Sequence, residues 1–257
     1  MTERIYGLGC LKDPVDRRDM PIRVVLPRIA APARVDYSDL MSPVRDQGAE
    51  GTCVAFAAAV GLKEYQERDE HRKLIKLSPR DLYFQCKKGD GIPNEEGTYI
   101  RVAMKVLSRR GVCLEECWPY RPYQTDSPCP EADRQARPFR IKTYGRLTGI
   151  GEMEESLSFN GPFLAGVEVF AEWFDSRGGK IPLPRPGVSS LGGHAVCVVG
   201  YDHGDHCFKF KNSWSASWGD RGYGYLPYEY MERYCLDAWS ATDLIAQPDL
   251  ATAVGCH

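Results

Sequence analysis

Cys53 opens an apolar run in the stretch VRDQGAEGTCVAFAAAVGLK, residues 44–63, directly behind Gly48 and Gly51. A cysteine usually behaves as a small buried hydrophobe. At a helix N-terminus the macrodipole and the unpaired N–H groups instead stabilise its thiolate. A thiolate nucleophile needs a base, and the chain has five histidines. His71 falls on the solvated end of a helical pattern, His203 and His206 in an exposed turn, and His257 at the C-terminus. His194 begins a strongly apolar strand behind Leu-Gly-Gly, where a ring can face a cleft. Asn212 follows one hairpin later, where its amide oxygen can accept from the imidazole and fix its tautomer. Gln47, ahead of the thiol, can turn an amide N–H toward the point that the Cys53 N–H faces. Two such donors make an oxyanion hole. Together these residues suit attack on a carbonyl through an acyl-thioester.

The elements that must hold them change character along the chain. Residues 53–69 predict a helix buried at its start and solvated at its end. LSPRDLYFQC begins a second helix, with Ser78 as N-cap and Pro79 at the first helical position. EEGTYIRVAMKVLSRRG gives a third, closed by Gly111. A proline-rich aromatic stretch, CWPYRPYQTDSPCPEADRQARP, reads as a crossover between halves. Beyond it HAVCVVGYD, CFKFKNSW and RGYGYLP are short strands, with a short helix near GEMEESLSF. This is an α+β chain with a cleft between its halves as the natural place for a site.

Composition narrows the classes. The 257 residues are 43% hydrophobic, 26% charged and 11% aromatic, which suits one large or two small units with a sizeable core. Net charge is -2 with no basic stripe, so no nucleic-acid partner is expected. No run reaches the ~18 to 20 apolar residues needed to cross a bilayer, and no membrane partner is expected. The N-terminus lacks an apolar signal region. Its Leu-Gly-Cys at Cys10, a faint lipoprotein pattern, follows too few residues to count. Localisation stays open between the cytoplasm and a non-classical or effector export route. The ten cysteines include no Cys-x-x-Cys pair and no zinc-type Cys/His spacing, so neither metal nor cofactor is expected. Cys113 and Cys117 read as packing residues.

The motifs in order resemble a papain-like cysteine peptidase, of the bacterial-type branch without a long pro-region. DQGAEGTCVAFA is similar to the family's nucleophile segment, GGHAVCVVGYD to its histidine strand, and NSWSASWGDRGYGYLP to its asparagine segment. The 141-residue separation of Cys53 and His194 falls within the ~130 to 150 of such enzymes. The resemblance implies a papain-like fold, a helical left domain against a β-barrel-like right domain. Its expected division is an extended segment over 1–35 and a catalytic domain over 36–257, helical over 36–130 and mainly β over 131–257. It implies Cys53 as nucleophile with a thiol pKa of roughly 3 to 4, His194 as general base and acid, Asn212 as its orienter and Gln47 as oxyanion donor. Trp214 would shield the Asn–His hydrogen bond and Trp218 would wall the leaving-group side. Gly97 would hydrogen-bond an extended substrate, while Tyr99, Gly166, Gly193 and Ala195 would line the pocket beside it. Cys86 and Cys129 match a family bridge. Glu50 and Val54 replace a cysteine and a tryptophan of the animal and plant members, and Glu96 the first of a glycine pair.

A peptidase acting on a peptide or protein substrate as a monomer is the leading expectation. A transpeptidase, ligase or acyltransferase using the same thioester is the alternative, and a non-catalytic relative is disfavoured because no triad member is missing. Residues 1–35 are too short for a folded inhibitory domain. They are expected to pack as a strap on the body in preference to plugging the cleft.

Overall fold

The computed structural model describes residues 6–21, 32–174 and 176–243. The expectations for His257 and for parts of the N-terminal segment (1–5 and 22–31) lie outside them. The extended N-terminal segment contributes β1, Cys10–Leu11, and β2, Arg34–Asp36. The rod that carries the nucleophile starts as α1, Cys53–Ala55, widens into a π-helical stretch, Phe56–Lys63, and ends as α2, Glu64–His71. Its small residues let it run against the sheet. A Cβ at Gly61 would sit 2.4 Å from the Cβ of Cys197, inside any allowed contact. The rod's far end holds Lys63 fully buried, paired with Glu67 at 2.6 Å and with Asp243.

The predicted caps form. α3, Pro79–Lys87, starts with the Ser78 side chain accepting from the Asp81 N–H. β3, Thr98–Tyr99, leads into α4, Ile100–Arg109, which Gly111 closes at φ +87° with its N–H on the Val106 carbonyl. Tyr83, Leu82, Met104 and Leu107 pack these helices against α1. A short α5, Ala132–Ala136, ends the helical part.

The second part is one antiparallel sheet. Its strands are β4, Ile141–Arg146; β5, Phe163–Val169; β6, Gly192–Asp202; β7, Cys207–Lys211; β8, Tyr223–Pro227; and β9, Cys235–Asp243. They run in the order β4-β9-β5-β6-β7-β8, with β2 added to β6. α6, Ile150–Phe159, is the helix expected near GEMEESLSF, and α7, Tyr228–Tyr234, leads into β9. The long β6 starts at the site. Its register sets Gly193 opposite Glu168, His194 opposite Val167 and Ala195 opposite Gly166.

Two cysteine readings need correction. The disulfide joins Cys117 to Cys129, with Cα atoms 5.0 Å apart, and Cys86 is a free buried thiol. Cys86 lies on the inner face of α3, whereas the loop after Cys117 returns to place the Cys129 N–H on the Cys117 carbonyl. Cys117 is therefore a bridge residue, and only Cys113 of its pair is simply packed. Glu50 holds the loop before the nucleophile by charge. Arg80 binds it through both nitrogens, one at 2.9 Å, with both side chains buried, and the Tyr123 N–H donates to it at 2.8 Å. Breaking such a buried pair typically costs about 3 to 5 kcal/mol, because the surviving charge is left without a partner.

Candidate active site

The start of α1 and the start of β6 meet at Cys53. The thiol is fully buried, and the backbone N–H groups of Ala195, Gly9, Val54 and Cys53 itself face its sulfur. His194 is also fully buried, and its Nε2 lies 2.8 Å from the Asn212 Oδ1. The Ser213 N–H donates to the same oxygen at 2.8 Å, which fixes that atom as an acceptor. Nε2 must then carry the proton, and the neutral ring presents Nδ1 as a bare lone pair. Nδ1 has no hydrogen-bond partner among the described residues. The ring stacks on Trp214 at 4.4 Å and meets the edge of Trp173 at 6.1 Å. Burial pushes His194 down to about 4, only partly offset by its bond to Asn212.

Gln47 is fully buried and fixed from three sides. Its backbone N–H donates to the Ser213 carbonyl, its Oε1 accepts from the Ser213 hydroxyl, and its Nε2 donates to the Glu50 carbonyl. The same Nε2 donates, at 3.0 Å, to the carbonyl of Gly7. The occupant of the cleft is thus the protein's own N-terminal segment.

That segment, YGLGC, overturns the expectation of a strap outside the cleft. Tyr6 stacks on Trp214 at 4.6 Å and on Phe174 at 5.7 Å. The Gly7 N–H donates to the Gly48 carbonyl, and the Gly9 N–H to the Gly193 carbonyl. The two glycines are needed because the left wall is backbone. A Cβ on Gly7 would stand 2.2 Å from the Glu50 oxygen, and one on Gly9 2.1 Å from the Gly51 oxygen. β1 then pairs in parallel with β3, Cys10 opposite Thr98 and Leu11 opposite Tyr99. The strap reading survives one step further along. The Asp13 N–H donates to the Asp237 carboxylate, and Asp13 accepts from Trp239 Nε1 at 2.9 Å and from the Arg101 N–H.

The pocket residues named from the sequence do gather around this segment, with one shift. A Cβ on Gly166 would meet the Cys10 sulfur and one on Gly193 the Cys10 carbonyl. Ala195 is buried beside the thiol. The ladder bond to the segment, however, comes from Thr98, whose N–H donates to the Gly9 carbonyl at 2.9 Å. The Gly97 N–H is already given to the Tyr83 hydroxyl, and the Gly97 carbonyl accepts from Lys87. Trp218 stands edge-on to Trp214 at 5.5 Å and donates to the Trp173 carbonyl. Ser213, Trp173 and the YGLGC segment were not anticipated. The alternation of glycine with larger residues in YGLGC was the available signal, since it describes a strand that can lie in a narrow slot.

The docked segment also reverses the expected thiol chemistry. Burial pushes Cys53 up to about 11 against the weaker help of the surrounding N–H groups. With Cys53 raised and His194 lowered, the pair is a neutral thiol and a neutral imidazole at pH 7. The pH consequences oppose each other. Protonating His194 between pH 6.5 and about 4 works against docking, since the buried ring must stay neutral. Asp13, raised to about 6 by burial and by Asp237, prefers to dock protonated, so its contribution is full below about 4 and fades as pH rises through 6. The alkylation of Cys53 separates these from the thiol itself. In the whole chain, alkylation by iodoacetamide should be slow and should rise only as pH passes 9 toward 11. In a chain with the segment released, it should be fast and already level near pH 5, as expected for a thiolate–imidazolium pair. Identical pH profiles in the two would show that docking does not set the ionisation of the pair.

Comparisons with known proteins bear on the family and the fold. The papain family cysteine protease profile matches residues 31–237. Xylellain, a cysteine protease from Xylella fastidiosa, superposes with a TM-score of 0.82 at 30% identity, over 95% of this chain and 99% of that one. An uncharacterised peptidase C1-like protein of Acanthamoeba polyphaga mimivirus is 29% identical over 76% of this chain and 68% of its own length. Cathepsin K of Gallus gallus is 28% identical over 75% of this chain, which spans 58% of that protein. With the profile covering well over half of the residues, the chain belongs to the papain family of cysteine proteases and is a cysteine peptidase, a hydrolase of peptide bonds.

Proposed function

We propose that this peptidase works through Cys53, His194, Asn212 and Gln47, and that residues 6–13 hold it closed. The observation that carries the reading is the Gln47 amide donating to the Gly7 carbonyl, on the segment whose Gly9 N–H faces the Cys53 sulfur. That is the job of an oxyanion donor, here done for the protein's own chain. When the segment leaves, water enters, the desolvation of thiol and ring is relieved, and His194 Nδ1 can take the thiol proton. The thiolate then attacks a substrate carbonyl carbon, forming the C–S bond, while Gln47 Nε2 and the Cys53 N–H hold the oxyanion. Collapse breaks the C–N bond, and the His194 proton goes to the leaving amine. Water, deprotonated by His194, cleaves the thioester and releases the acid. Asn212 keeps Nε2 protonated throughout, and Trp214 keeps water from competing for that bond.

A bound amine in place of water would make the same thioester a ligation intermediate, as the alternative reading holds. Turnover of a peptide library by the segment-released chain in oxygen-18 water tests which acceptor is used. New carboxylates should each carry one solvent oxygen. Products dominated by amide bonds to added amines, with little solvent oxygen, would replace hydrolysis with transfer.

A further inference from the structure

The same N-terminal segment walls a second cleft of about 550 Å³, whose lining includes neither Cys53 nor His194. Its opposite wall is α4, from which Arg101, Lys105 and Arg109 enter at i, i+4 and i+8. At 1.5 Å per residue they cover about 12 Å along one helix face. Arg18 closes the cleft from the segment, and Tyr144 and Trp239 lie at the sheet side. Two carboxylates share the lining, and both are already engaged. Asp16 is held by Arg18 at 2.6 to 3.2 Å, and Asp19 by Arg101 at 3.0 Å. Lys105 and Arg109 are exposed and have no acidic partner among the described residues, although Arg110, next along the helix, binds Asp81 and Asp133. An ordinary solvated helix face intersperses its charges; this one turns unbalanced cations into a concavity with a ring at its edge.

We propose that this cleft binds a small anion carrying two or more phosphate groups, held by Arg101, Lys105, Arg109 and Arg18, and that the bound anion tightens the docking of residues 6–13. The coupling follows from which side each cation is on. Arg18 belongs to the segment and the other three to the body, and Asp19 of the segment already binds Arg101 across the gap. A polyphosphate that reaches Arg18 together with Lys105 and Arg109, two cations with no acidic partner among the described residues, adds a second link between the two walls. Asp13 anchors the segment between this cleft and the plugged one, its carboxylate accepting from the Arg101 N–H, so the two clefts share one strand. By linkage, a ligand that favours the docked segment is itself bound more tightly when the segment is docked. The binding part stands independently of the catalytic reading; the coupling part rests on the plug.

The test uses the whole chain and inorganic pyrophosphate and tripolyphosphate, with sulfate at equal ionic strength as the control. Calorimetry should show saturable one-to-one binding of the polyphosphates that sulfate does not match. The double variant Lys105→Glu/Arg109→Glu, on exposed helix positions, should bind roughly a hundredfold more weakly, about tenfold for each reversed charge. At saturating pyrophosphate, alkylation of Cys53 in the whole chain should slow several-fold, and in the double variant it should not respond. Absence of saturable binding, equal affinity in the double variant, or equal binding of sulfate would overturn the site. Variant-sensitive binding with unchanged or faster alkylation would overturn the coupling. Alkylation of the whole chain as fast as that of the segment-released chain, without any anion, would instead sink the plug reading and leave the calorimetric result standing.

Discussion

Replacing Gly7 and Gly9 together by valine should switch the whole-length protein on. The wall that each glycine faces is a carbonyl oxygen of the loop before the nucleophile, and a Cβ would stand 2.2 and 2.1 Å from it. Backbone there cannot retreat, because Glu50 is locked to Arg80 and Gln47 is tied to Ser213. The strand therefore leaves the cleft, giving up the Gln47 bond to Gly7, the Thr98 bond to Gly9 and the stacking of Tyr6 on Trp214. If docking is worth roughly 3 to 4 kcal/mol, the open fraction and the rate on a short fluorogenic peptide should rise by about two to three powers of ten. The rise should appear in kcat/KM, mostly as a fall in apparent KM, since the docked segment competes with substrate for the cleft and the open enzyme is the same species with the same kcat. Val15, 93% exposed in the same segment, provides the control, and Val15→Thr should leave the rate as it was. An equally slow double variant that still folds would show that YGLGC does not limit access to Cys53.

How far the sequence already showed this arrangement depends on what each residue must do. Cys53, His194, Asn212 and Gln47 could be singled out because each proposed role accepts few residue types, and the order of motifs ranked them. Ser78 and Pro79 announced α3 for the same reason, since the N-cap bond uses one side chain and one N–H. β5 was harder. FLAGVEV is buried almost throughout, so it lacks the alternation that marks a half-exposed strand. β9 follows α7 without a turn signal, and its central AWSA is likewise buried.

The plug was missed for a different physical reason. A short plug ranks behind a strap because no exposed cleavage linker follows residues 1–35 in the sequence, whereas a strand that can leave its slot needs no cleavage, only a few residues and walls that supply its hydrogen bonds. Disulfide partners depend on which chain segments return to each other, and four or more cysteines always allow several pairings. Cys86 and Cys117 could not be ranked until the loop that brings Cys129 back was seen. The thiol's ionisation depended on solvent, and the presence of a buried strand over Cys53 is a fact of the fold.

Cys53→Ala in the Gly7→Val/Gly9→Val background should abolish turnover, and the other site variants should rank behind it. Without sulfur no acyl-thioester forms, and knocking out a nucleophile costs on the order of 10⁶ in kcat where a nucleophile and its base act as a unit. The helix start accepts alanine, the best helix former, so thermal stability should hold. His194→Ala should fall close behind, because an unassisted thiol is a neutral nucleophile with no proton donor for the leaving amine. Gln47→Ala should lose roughly a hundredfold to a thousandfold in kcat, about 2.7 to 4 kcal/mol, with KM little changed, since its N–H serves the oxyanion. That variant has to be read in the plug-released background. In the whole chain it also removes the Gly7 bond, and the opening of the cleft would mask part of the loss. Asn212→Ala should lose least, because the stack on Trp214 and the edge of Trp173 still enclose the ring. A Cys53→Ala chain retaining more than trace activity would take Cys53 out of the mechanism. A rise in KM at constant kcat for Gln47→Ala would move that residue from the oxyanion to ground-state binding.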